Sequence, residues 1–179
     1  MDPHFKENDI VMFKKYVEKS KIYLEYGSGG STCYVSKCSN IEHVYSVESD
    51  PNWIKKLQSL ILDSNKCTFI YADICTNGYW GYPGKNATID QRKNYSNVIC
   101  DSNIDLVLID GRFRVACALK CFKLNCLILF DDFLNRPYYH IILQFYDIVE
   151  RGKIMVCLIK KNVDPPSSDL IEKYELISK

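Results

Sequence analysis

The feature that most constrains this chain is a repeated change in the period of its apolar residues. Continuous apolar runs read as strands at Lys21–Tyr26 (KIYLEY), His43–Glu48 (HVYSVE), Cys67–Ala72 (CTFIYA), Ile104–Ile109 (IDLVLI) and Cys126–Phe130 (CLILF). Between them, helical spacing predicts helices over Asn8–Ser20, from the GSGGS segment to about Lys37, and over Pro51–Asp63, Phe113–Lys123 and Pro137–Phe145. Ser-Asp-Pro is a strong helix start, with Asp50 as N-cap and Pro51 at the first helical position. Two last runs, Ile148–Glu150 and Ile154–Lys160, flank Arg151-Gly152 and predict a terminal hairpin. The tail after Asn162 contains Pro165-Pro166 and shows no evident core face.

Apolar strands alternating with helices imply a mostly parallel sheet covered on both faces, a doubly wound α/β fold. With 179 residues, no repeat and no linker, the whole of 1–179 is expected to form one domain. Lys and Arg number 23 against 22 Asp and Glu, so no strong field steers the chain towards nucleic acid or an anionic membrane. No apolar run approaches the roughly 20 residues of a membrane span, and the charged MDPHFKENDI start does not read as a signal peptide. A cytoplasmic location is expected. The nine cysteines form no CxxC or zinc-type cluster and mostly lie in apolar stretches, so they read as reduced, buried thiols.

In a sheet of this kind, ligands bind beyond the carboxyl ends of the strands where strand order reverses. A polar residue or glycine stands at all five of those ends: Glu25–Thr32, Glu48–Asp50, Asp73–Ile74, Asp110–Arg112 and Asp131–Asp132. Gly27, Gly29 and Gly30 directly follow the first strand, where missing Cβ atoms let the backbone turn or let a ligand approach. A plain strand–helix turn is the alternative. The sixth position of a G-x-G-x-x-G fingerprint is Thr32, which disfavours a nicotinamide enzyme, and the absence of a following Lys excludes a P-loop. Glu48, at the tip of the second strand, is placed to accept ribose hydroxyls. Asp73 could accept an adenine amino group.

The ordered set LEYGSGGST, VYSVESD, ADI and DLVLIDG resembles the motifs of class I S-adenosylmethionine-dependent methyltransferases over about residues 21–160. That resemblance implies a seven-stranded sheet with an antiparallel last strand, and S-adenosylmethionine as cofactor. It also implies that Glu25, Gly27, Ser28 and Gly29 form the loop facing the methionine part of the cofactor. Glu48 and Ser49 would hold the ribose, while Asp73 and Ile74 would frame the adenine. Ser31 stands where many members carry a third glycine.

Methyl transfer needs a positioned acceptor and a group that takes its proton. Asp110, Arg112 and His140 are the candidate catalytic residues. Asp110, Asp131 and Asp132 are similar in pattern to the ligands of metal-dependent O-methyltransferases, which makes them candidate Mg²⁺ ligands. Arg112 or Arg114 could instead neutralise these carboxylates, and Arg112 could clamp an anionic acceptor. A structural His at a helix start is the favoured alternative for His140. The 28-residue connection Thr76–Asn103, with Tyr79, Trp80, Tyr82 and Tyr95, is either a lid over the acceptor or a surface loop.

The expectation is methyl transfer to a small molecule, with a sugar or nucleotide-sugar hydroxyl preferred as acceptor. No nucleic-acid or membrane partner is expected, and a homo-oligomer is left open. The competing class is a non-catalytic domain that binds the cofactor or its product as a scaffold.

Overall fold

The computed structural model describes residues 1–76 and 80–178. Seven strands form one sheet in the order β3-β2-β1-β4-β5-β7-β6. They are β1 (Ile22–Tyr26), β2 (His43–Glu48), β3 (Cys67–Tyr71), β4 (Leu106–Ile109), β5 (Leu127–Phe130), β6 (Tyr146–Arg151) and β7 (Val156–Lys160). β1 through β5 pair in parallel, whereas β7 runs antiparallel to both β5 and β6. The expected doubly wound, mostly parallel seven-stranded sheet with a C-terminal antiparallel hairpin is therefore the one observed. Strand order reverses between β1 and β4.

Side-chain alternation assigns each strand residue to a face. Tyr23, Val44, Leu106, Leu108, Leu129 and Cys157 pack against α1 (Glu7–Val17) and α2 (Gly30–Val35). α3 (Pro51–Gln58) extends that layer through Leu57, which meets Cys33 of α2. On the other face, Leu24, Tyr26, Val107, Ile109, Ile128 and Phe130 meet α4 (Ile89–Ser96), α5 (Arg114–Cys121), α6 (Ser168–Glu175) and a 3₁₀ segment, Pro137–Gln144. All nine cysteines are unpaired, and Cys33, Cys117, Cys121, Cys126 and Cys157 are buried.

Three expectations change. The tail after Asn162 is not featureless. Ser167 caps α6 by accepting the Leu170 N–H, and Leu170, Ile171 and Tyr174 pack on the core. The Thr76–Asn103 connection holds a helix, α4, whose capping box pairs Thr88 with Gln91 and whose Tyr95 is fully buried. Pro137–Gln144 is 3₁₀ rather than α-helical, and its Tyr139 and Ile142 still reach the core.

The hairpin is tied to the first helix by one buried carboxylate. Asp9 of α1 accepts main-chain N–H groups from Lys153 (2.6 Å), Ile154 (3.3 Å) and Met155 (3.3 Å). Gly152 leaves the space for it, since a Cβ there would lie 2.0 Å from Asp9 Oδ1. Asp9→Ala leaves the buried Met155 amide and two partly buried amides without their acceptor. It should lower unfolding stability by about 3 kcal/mol, measured by urea denaturation with little change in the denaturant slope.

Candidate functional site

The site lies where the sheet topology puts it, at the carboxyl ends of β1, β2 and β4. Gly27 follows β1 with φ +99°, a conformation that favours glycine. A Cβ at Gly27 would stand 2.8 Å from Gly111 Cα, and one at Gly111 would stand 2.1 Å from Tyr95 Oη. The chain leaving β1 and the chain leaving β4 therefore touch through glycines. Above this contact is a cleft of ≈ 390 Å³ lined by Gly27, Ser28, Glu48, Ser49, Asp110 and Arg112, with Trp53, Trp80 and Tyr95 closing its sides. That volume falls in the usual range for small-molecule and cofactor sites.

Two buried carboxylates shape the loop. Glu25 is fully buried beneath it and accepts hydrogen bonds from Ser31 Oγ (2.7 Å), Ser46 Oγ (2.6 Å), Tyr23 Oη (3.1 Å) and Thr32 Oγ1. It thus binds β1, α2 and β2 together. Its side chain does not line the cleft, because those four hydroxyls hold it below the loop. Burial pushes its carboxyl up to about 7, against the opposing pull of the hydroxyl donors.

Glu48 ends β2 at the cleft wall. Its Oε1 accepts the N–H groups of Ser49 (2.6 Å) and Asp50 (3.0 Å), and its Oε2 accepts that of Ser28 (3.2 Å). A carboxylate oxygen has two lone-pair sites, so Oε2 keeps capacity for a further donor from the cleft. Burial raises the Glu48 carboxyl above its ordinary value, and the amide donors oppose this. Asp50 caps α3 as expected, accepting from Asn52 N (2.8 Å) and Trp53 N (3.3 Å). Trp53 returns the contact by donating Nε1–H to the Ser28 carbonyl (2.9 Å).

Other expected residues lie elsewhere. Gly29 donates its N–H to Thr32 Oγ1 (2.9 Å) and faces the start of α2 rather than the cleft. Asp73 turns its carboxylate to Cys75 N (2.8 Å) and Gln91 Nε2 (3.3 Å), which joins the end of β3 to α4. Ile74 is completely buried in the core. Neither lines the cleft. His140 bonds through Nε2 to the Phe133 carbonyl (2.9 Å) and stacks on the Phe133 ring, so it too stands off the cleft.

Asp110, Asp131 and Asp132 do converge, around Arg114. The guanidinium meets Asp110 Oδ1 at 2.9 Å, Asp132 Oδ2 at 3.4 Å and Asp131 Oδ2 at 4.0 Å. Arg136 takes the outer side of Asp132 at 2.8 Å. Burial raises the Asp110 and Asp131 carboxyls, Asp131 to about 8, while Arg114 pulls both down. Phe113 (φ +53°) and Asp132 (φ +60°) hold left-handed backbone beside this cluster, a local strain of the sort found at ligand sites. Among the described residues, no group of three or more His, Cys, Asp or Glu is arranged to hold a metal ion.

Of the aromatic residues expected over the site, Tyr79 lies outside the described residues. Trp80 stands four-fifths exposed at the rim, and Tyr82 lies under the Arg112 guanidinium at 4.3 Å. Tyr95 is buried and accepts the Arg112 N–H through its hydroxyl (3.3 Å). Sequence reasoning passed over Gly111 and the cleft-facing side of Trp53. The first carried a signal, a glycine two residues past the end of β4, near the level of Gly27 at the end of β1.

No protein-family profile and no curated protein matches the chain. Among solved structures it is similar to a methyltransferase-like protein from Silicibacter pomeroyi, at 27% identity and a TM-score of 0.84, over 99% of this chain and 98% of that one. It also resembles fibrillarin, a pre-rRNA processing protein from Methanococcus jannaschii, at 14% identity and a TM-score of 0.55, covering 82% and 69%. A Staphylococcus aureus protein assigned as a caffeoyl-CoA O-methyltransferase aligns at 18% identity and a TM-score of 0.55, covering 89% and 86%. The fold is a Rossmann-like methyltransferase fold.

Ionising Glu25 inside the protein sets the sign of a pH effect. The unfolded chain loses this proton near the ordinary value of 4.5, and the folded protein near 7. Its contribution to stability is full below 4.5 and is lost as pH rises to 7, about 3 kcal/mol in all. Glu25→Gln mimics the neutral form and lacks this titration. Urea melts from pH 4.5 to 8 should show the parent close to Glu25→Gln at the acid end and falling below it as pH rises, by up to about 3 kcal/mol; a constant difference would show that Glu25 does not titrate there.

Proposed function

We propose that the protein transfers a methyl group from S-adenosylmethionine to a small molecule, with a sugar or nucleotide-sugar hydroxyl as the preferred acceptor. The observation that carries this is the cleft at the β1/β4 reversal, where Gly27, Ser28, Glu48, Asp110 and Arg112 line one cavity. The residues fit the cofactor: the Gly27–Gly111 contact leaves a floor without side chains, and Glu48 offers acceptor capacity for hydroxyls. When bound, S-adenosylmethionine supplies an electrophilic methyl group on a sulfonium.

The chain's own residues divide the work. Ser28 and Glu48 hold the loop and receive polar groups on the β2 side, while Trp53 and Trp80 offer flat apolar walls. Asp110, at the tip of β4, accepts the acceptor's proton as its oxygen becomes nucleophilic. Arg112 makes no ion pair among the described residues and lies over Tyr82, a placement suited to a phosphate or carboxylate on the acceptor. Gly81 stands opposite Ser49, and Trp80 flanks the cleft at its rim.

The formal net charge of +1 favours a small acceptor over a nucleic acid. Fibrillarin's link to pre-rRNA belongs to that protein, and at 14% identity the likeness concerns the fold alone. No helix among the described residues is long and apolar enough to cross a membrane.

S-adenosylhomocysteine at a hundred times its dissociation constant adds about 2.7 kcal/mol to folding stability, which a thermal melt reads as a rise of about 5–10 °C. No rise at millimolar ligand refutes the cofactor site. Glu48→Ala should weaken S-adenosylhomocysteine binding by about 10- to 100-fold in calorimetry. Asp110→Asn should spare the melt shift and lower turnover by about 10²- to 10⁴-fold; binding without turnover in the parent with any sugar acceptor would favour a scaffold.

A further inference from the structure

We propose that Arg114 is a built-in cation at the centre of the Asp110–Asp131–Asp132 trio. The acceptor side of the cleft then works without a divalent metal, and the acceptor meets the Asp110 carboxylate directly. The second half of this proposal rests on the methyl-transfer reading; the first does not.

The case begins with how the guanidinium is held. Its side chain is 4% exposed. Nε donates to the Gly111 carbonyl (3.0 Å), Nη1 to the Asp131 carbonyl (2.8 Å) and Nη2 to the Asp110 carbonyl (2.9 Å). These oxygens belong to the chain leaving β4 and the chain leaving β5. The same nitrogens then face the three carboxylates: Nη2 meets Asp110 Oδ1, and Nη1 meets Asp131 and Asp132. A planar fork with five donors can serve main-chain and side-chain oxygens together, which an ammonium cannot do.

A Mg²⁺ ion shared by these carboxylates would have to stand about 2.0–2.1 Å from each ligating oxygen, in near-octahedral geometry. That position is already filled by Arg114 nitrogens. Moving the guanidinium aside would leave three main-chain carbonyls without their donor in a buried place, each at a cost of about 1–3 kcal/mol. It would also set one cation beside another. Asp132 is also engaged elsewhere, since Arg136 meets its Oδ2 at 2.8 Å.

Charge agrees with this. Two guanidiniums already face the three carboxylates, so the trio has its counter-charge without a divalent ion. Asp110 is the member of the trio that lines the cleft. Arg114 fixes its Oδ1 and leaves the carboxylate at the mouth of β4, so an acceptor needs one nucleophilic hydroxyl or amine there. A vicinal diol, which a metal would chelate, is not required. Arg114 is a positioning residue; it reaches the acceptor only through Asp110.

The test uses the full chain, first without acceptor. Electron paramagnetic resonance with Mn²⁺ as probe should show no protein-bound ion at about 1 mM, and neither Mg²⁺ nor chelator should move the melting temperature of the parent protein. One Mn²⁺ per chain at submillimolar concentration would overturn the proposal. In Arg114→Met the carboxylates lose their cation, so Mg²⁺ should raise its melting temperature by about 4 °C or more. A variant as stable as the parent and indifferent to Mg²⁺ would also overturn it. If Arg114→Met does not fold, the Mn²⁺ result on the parent decides. Where S-adenosylhomocysteine shifts the melt and an acceptor is found, turnover should survive exhaustive chelation, and a monohydroxyl acceptor should be methylated as well as its diol analogue. Loss of turnover on chelation would sink the metal-free site, whereas absence of any S-adenosylhomocysteine shift would sink only the methyl-transfer reading.

Discussion

Two glycines in contact across the reversal of strand order set the geometry on which the rest of the site depends. β1 and β4 lie side by side in parallel, yet the chain leaves them towards opposite edges of the sheet. Divergence of this kind opens a crevice at the carboxyl ends. How deep it is depends on how closely the two departing segments approach. Here Gly27 and Gly111 pack so tightly that a Cβ on either would collide with main chain or with Tyr95 Oη. A side chain at either position would wedge the segments apart and shift every group placed on them, Ser28 and Asp110 first.

Around that contact the protein buries ionisable groups it could have left in water. Glu25 joins β1, α2 and β2; Glu48 joins the end of β2 to the loop and the start of α3; Arg114 joins the exits of β4 and β5. Each is satisfied by a particular set of hydroxyl, amide or carbonyl partners, and this answers the cost of taking a charge from water. None of the three adds apolar burial. What they add is fixed direction: polar groups held in place before a ligand arrives need not reorganise around it. The positive-φ residues Gly27, Phe113 and Asp132 belong to the same economy of rigid strand exits.

The parts of this arrangement legible in the sequence were those written in short-range pattern. Strand ends announced themselves because apolar runs stop at a polar residue or glycine, and the Asp50-Pro51 helix start is a local rule. β6 and β7 were visible as a hairpin, although β6 begins at Tyr146 rather than Ile148. α4 was missed although Thr88-x-x-Gln91 spells a capping box, because its face is polar and only Tyr95 and Ser96 are buried. α6 was missed for a related reason: Leu170, Ile171 and Tyr174 give it a partial apolar side that matters only against α4 and α5. Glu25 and Asp73 show a different limit. A carboxylate at a strand end has the same sequence signature whether it faces a cleft, as Glu48 does, or turns beneath the loop, as Glu25 does. The difference lies in the hydroxyls of Ser31, Thr32 and Ser46, which come from two other elements.

The two halves of the cleft are therefore written in different ways. The half nearer β1 and β2 comes from strand ends and a glycine turn, features that the sheet itself dictates. The other half comes from the connection between β3 and β4, where Gly81 approaches Ser49 Oγ so closely that a Cβ would lie 3.1 Å away, and Tyr82 supports Arg112. Nothing in the sheet demands those residues. Structures at 14% and 18% identity keep the same scaffold, which tolerates wide change in whatever it carries. On the proposed methyl-transfer reading, acceptor choice rests on this connection and on how firmly Asp110 is held beneath it. In this chain the holding is done by Arg114, a residue no periodic pattern marks, because its partners are the carbonyls and carboxylates of two strands that meet only in the folded sheet.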